Sequence, residues 1–97
     1  MGATATATIV VRRLELEGAV APYAVFAIGI YKDGSLASSG RAFLTGSGTY
    51  TATTTPVNLS PGAQYHVETT LNILTRTGVG SRGMLSDAEI TEIRWSF

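Results

Sequence analysis

Chemistry on this chain has few places to start. The 97 residues include one histidine and no cysteine. His66 precedes Glu68 by two, a spacing that puts both on one face of a strand. An imidazole beside a carboxylate could move protons or share a transition metal. Such a metal takes three or four ligands, and neither a second histidine nor a thiolate is on offer. The pair therefore reads as two solvent-facing residues. Glu15 and Glu17, and Asp87 and Glu89, are also two apart. Paired carboxylates can hydrolyse glycosides, or hold calcium when carbonyls join them. A calcium loop gathers several acidic or amide side chains around a glycine, and neither segment does. Gly78, Gly80 and Gly83 keep the Gly-x-Gly-x-x-Gly spacing, but no helix follows to turn its N-terminus on a phosphate. No Gly-x-Ser-x-Gly elbow supports a serine nucleophile. No catalytic residue, metal ligand or cofactor site is assigned, and the chain is expected not to be an enzyme.

What remains is contact chemistry. Arg76 and Arg82 flank a Gly-containing loop, and loops carry a disproportionate share of binding residues. Tyr23 and Tyr31 bound a stretch without any charge. These four are the candidate partner contacts. Net charge is zero, and the only adjacent basic pair, Arg12-Arg13, is followed at once by Glu15 and Glu17. The clustered basic surface that phosphates require is absent, which excludes nucleic acid as the expected partner. Charged residues make up 14% of the chain, against roughly 25% in ordinary soluble domains. Thr, Ser, Ala and Gly fill the difference. Copies of such a neutral, hydroxyl-rich surface repel one another little, so self-association stays open.

No apolar run approaches the roughly 20 residues that span a bilayer. The start, Met1 to Thr6, lacks the basic and apolar regions of a secretory leader, and its formal match to a myristoylation pattern at Gly2 is too short to weigh. The Cys-free, Lys-poor, Thr/Ser/Gly-rich composition suits a bacterial surface, secreted or virion structure.

The positioning elements read as strands. Strands are expected at 4–17, 23–31, 36–45, 49–56, 64–75 and 84–97, six or seven in all if the first is split. In the first, Ile9 and Val11 share a face, and Leu14 and Leu16 join it only if the chain slips by one residue at Arg12-Arg13. Period two leaves a β-bulge or break there as the way to keep both pairs inside. Tyr23 to Tyr31 is apolar on both faces, so it is central and covered, or it supplies a contact surface. Asp33-Gly34 is the strongest hairpin signal in the chain. Gly46-Ser47-Gly48 makes a second turn, and Pro56 ends the strand that follows. Ser86-Asp87-Ala88-Glu89 has the form of a capping box, but the clean alternation of Ile93, Trp95 and Phe97 favours a strand with an irregular start.

Val57 to Val67 carries Leu59, the turn Pro61-Gly62 and then Tyr65. This stretch of about a dozen residues resembles the fibronectin type III signature, in which those positions build a tyrosine corner. The resemblance implies that Leu59 packs in the core and that the Tyr65 hydroxyl bonds to nearby backbone. A buried Leu59, with Pro61 following, sets aside the sequon Asn58-Leu59-Ser60.

The expected fold is an antiparallel β-sandwich of immunoglobulin or fibronectin type III character, in one domain, with a closed barrel as the alternative. The expected core is Val11, Leu14, Leu16, Phe26, Ile28, Ile30, Phe43, Tyr50, Leu59, Tyr65, Val67, Leu71, Ile73, Ile93 and Trp95. Two functions follow. One is a structural or assembly module, a possible homo-oligomer, whose flat Thr-rich start could pair edge to edge. The other is a module presenting loops 18–22, 46–48 and 76–83 to a protein or carbohydrate.

Overall fold

The computed structural model describes residues 2–17, 23–74 and 82–97. Its elements are β1 (Gly2–Glu17), β2 (Tyr23–Lys32), β3 (Ser35–Leu44), β4 (Gly48–Thr53), β5 (Val57–Asn58), β6 (Tyr65–Leu74) and β7 (Arg82–Ser96). In one sheet β1 is the central strand, with β7 along one side and β4 followed by β5 along the other. In the second, β2 lies between β3 and β6. All pairings are antiparallel. The sheets pack face to face as a sandwich and do not close into a barrel. The segment with a capping-box form is strand, part of β7.

Turn chemistry explains the local connections. Asp33 and Gly34 both take positive φ, at 50° and 86°, as a two-residue type I′ hairpin demands. The Asp33 carboxylate also accepts the Gln64 amide at 3.0 Å, tying this hairpin to the entry of β6. In β1 the ladder slips on either side of Arg13, so Val11 stays buried and Leu14 still packs against the core. The bulge expected at Arg12-Arg13 is therefore present, and it serves the inward apolar set as period two requires.

The core is built from β1 and β2. Ala3, Ala5, Ala7, Ile9 and Val11 point inward from β1, and Ala24, Phe26, Ile28 and Ile30 from β2, with Leu44 and Ala52 completing it. The Thr-Ala repeat thus forms the middle of a sheet and not an edge free to pair with another copy. Its alanines are almost fully buried; their small side chains leave room for the bulky side chains of β2.

Four residues expected in the core are exposed: Phe43, Leu59, Leu71 and Ile93. Phe43 is out of phase, since its neighbour Leu44 pairs with inward-facing Ala24 while Phe43 pairs with Val25 on the outer face. Leu59 follows β5 and lies beside Tyr65, Trp95 and Phe97 at the margin of the sandwich, not within it. Leu71 and Ile93 do face inward, but nothing among the described residues fully covers them. The Leu16 side chain lies outside the described residues.

The sheets meet tightly along β3 and β4. The Ser38 hydroxyl donates to the Thr55 carbonyl at 2.7 Å. Thr54 is buried and completes a gap in the ladder between β4 and β5: its hydroxyl accepts the Ala5 amide, and its own amide donates to the Ala5 carbonyl, both at 3.0 Å. Thr54→Val keeps the shape and strands the Ala5 N–H. It should lower stability by about 1–3 kcal/mol, the cost of an unsatisfied buried donor, while Thr54→Ser should retain most of it. Urea denaturation of the two variants decides; equal midpoints would mean the hydroxyl is dispensable.

Candidate contact surface

Glu17 apart, whose side chain lies outside the described residues, the residues that looked able to do chemistry are paired with one another at the surface. Arg12 reaches Asp87 at 3.3 Å and Glu89 at 3.4 Å. The hydrogen bond to Asp87, then that to Glu89, holds its guanidinium above the ordinary value. Glu15 takes Arg13 at 3.0 Å. His66 Nε2 lies 2.7 Å from Glu68 Oε2, with both side chains about half exposed. No cluster of three metal-ligating side chains occurs among the described residues. The glycine pattern at 78–83 falls largely outside the described residues.

Of the four candidate contacts, Arg76 lies outside the described residues. Tyr23 opens β2 and Arg82 opens β7, and their side chains are not described. Tyr31 is half-buried on the outer face of the three-stranded sheet, its ring stacked on His66 with centroids 5.0 Å apart and planes at 10°. Beside it, Ala27 and Gly29 floor a trough of about 150 Å³ walled by Leu36, Ser39, Glu68 and Thr70. Gly29 matters here because a Cβ would run into Leu36 and the Tyr31 ring.

A larger surface lies where β6 and β7 form the margins of the two sheets. Among the described residues, β6 pairs with β2 alone and β7 with β1 alone. The registers set their faces. Leu71 pairs with Phe26 and Ile73 with Ala24; Ile90 pairs with Ile9, Ile93 with Ala7 and Trp95 with Ala5. Each partner is buried, so these side chains point toward the interior. Yet Leu71 is 36% exposed, Ile90 43% and Ile93 50%. Among the described residues, the sheets meet along β3 and β4 and leave these side chains of β6 and β7 partly uncovered. Two clefts lie along these strands. One, of about 310 Å³, descends between Leu71 and Ile90 to Ile9 and Phe26. The other, of about 340 Å³, is lined by Leu59, Tyr65, Trp95 and Phe97, with the Trp95 and Phe97 rings stacked 6.3 Å apart. The Tyr65 hydroxyl accepts the Ser60 amide at 2.8 Å across the Pro61-Gly62 turn, the backbone contact implied by the resemblance, and this fixes the rim of the second cleft.

Sequence reasoning found the apolar alternation of β6 and β7 and placed it in the core. The signal for an open side was missing, because periodicity reports which face is apolar and not whether anything covers it. Comparison with family models, with curated proteins and with solved structures finds no match.

Proposed function

We propose that this domain is a non-enzymatic structural or assembly module that joins another polypeptide along its open side. The observation that carries the reading is the inward-facing yet exposed set Leu71, Ile90 and Ile93, on the same strands as the cleft residues Tyr65 and Trp95, which Phe97 follows. Apolar side chains left uncovered side by side mark interaction sites, and among the described residues the outer edges of β6 and β7 are unpaired and offer backbone hydrogen bonds as well. The low charge fraction supports close approach of neutral surfaces. We assign the sandwich immunoglobulin or fibronectin type III character on the Tyr65 contact to Ser60. A bacterial surface, secreted or virion structure is the setting that the composition suits.

Trp95 is the only tryptophan, so it reports on this side without a label. Its emission should move to shorter wavelength as protein concentration rises and the cleft is covered. Leu71→Glu, at an exposed position, should abolish that shift and leave the β-sheet circular dichroism intact. An emission maximum independent of concentration would count against self-assembly through this surface.

A second reading is favoured by the trough between Tyr31 and Leu36, where an apolar wall faces Ser39, Glu68 and Thr70. An apolar platform beside convergent polar groups suits a ligand such as a carbohydrate or an extended peptide. In that reading Tyr31→Ala removes binding and leaves the solution mass unchanged.

A further inference from the structure

We infer that the polypeptide covering the open side is a second copy of this chain, added edge to edge through β7 about a two-fold axis at Ile93. The inference rests on the assembly reading and names its partner and register. An antiparallel pair of identical strands is isologous, so residues equidistant from the axis face each other. The interior faces of both copies must stay on the same side, and a slip of one residue would turn one of them outward. The axis therefore passes through a residue and not between two.

Charge then selects the residue. Glu92 and Arg94 point away from the core, flanking Ile93, and pair with each other at 3.3 Å within one strand. An axis at Glu92 sets Glu92 against its own copy, and an axis at Arg94 sets Arg94 against its own copy. Like charges directly opposed are unfavourable. An axis at Ile93 places each Glu92 opposite Arg94 of the second copy, which gives two cross-strand ion pairs. The existing exposed pair is weak and gives way easily. On the inner face the same axis sets Ile93 on Ile93, and it brings Trp95 to the bulge at Thr91, the extra residue between Ile90 and Glu92. Trp95 and Phe97, which the monomer leaves beside an open cleft, then lie next to the second copy. Glu92 to Ser96 pairs with β1 without interruption, so the three positions about the axis, Glu92 to Arg94, present a regular outer edge in both copies, and the bulge at Thr91 ends the new ladder on either side.

The test uses the intact chain and its lack of cysteine. Glu92→Arg and Arg94→Glu each oppose two pairs of like charge, and each should weaken association by about tenfold or more. The double exchange E92R/R94E should restore it. Ile93→Cys should form an intermolecular disulfide under mild oxidation, since directly opposed antiparallel positions fall within disulfide reach. Thr91→Cys should not. Association that ignores both single reversals, or that the double exchange fails to rescue, overturns the β7 register while leaving assembly standing. A monomer at every concentration removes self-assembly as well.

Discussion

Phe26→Ala will cost the domain about 3–5 kcal/mol, the usual penalty for truncating a buried aromatic ring. Phe26 is wholly buried on the central strand of the smaller sheet, between partners Ala42 on β3 and Leu71 on β6. Its ring forms the floor of the cleft lined by Ile9, Leu71 and Ile90, so truncation removes a wall of the core and leaves a cavity. A domain of this size holds about 5–15 kcal/mol in all, so the variant will unfold early in urea. Phe43→Ala is the matched control. The same ring on the outer face is 54% exposed, and its loss should cost under about 1 kcal/mol. Equal losses at the two sites would contradict the phase of β2 and β3 described above.

Gly40→Ala should be nearly as damaging, by overfilling. Gly40 pairs with inward-facing Ile28, so a side chain there would point across at β4. An ideal Cβ would collide with the Thr53 carbonyl oxygen and come within 3.1 Å of the Thr54 nitrogen. Both are backbone atoms in the seam that closes the sandwich, and neither can swing aside. Overpacking usually costs about 1–3 kcal/mol, and the upper end is expected because the Thr54 bonds to Ala5 must shift too. Gly46→Ala meets nothing within 4 Å and should leave the denaturation midpoint in place. A Gly40→Ala protein as stable as the parent would mean that the sheets do not approach so closely.

The glycine result shows where the sequence was silent. Gly40 has no side chain for a hydrophobic pattern to register, yet that missing side chain is what lets the sheets touch. Features set by neighbours in the chain were legible: the hairpin at Asp33-Gly34, the slip at Arg12-Arg13, and the turn beneath Tyr65. Features set by distant packing were not. The alanines of β1 carry too little apolar surface to stand out, yet they are buried to within 1%. Ala42-Phe43-Leu44 offers two apolar phases, and only pairing with β2 selects Leu44. Leu71 and Ile93 were correctly turned inward but wrongly covered, because cover depends on the spread between sheets. The contact surface was reachable only in part, through Tyr31 and the apolar alternation of β6 and β7.

Assembly along that open side is tested most directly by the solution mass of the unmodified chain, measured by light scattering at two concentrations about tenfold apart, a span over which a weak dimer changes occupancy visibly. The mass should climb above the 10.2 kDa of one chain at the higher concentration. A mass of one chain at both would contradict assembly, and would turn attention to the trough beside Tyr31.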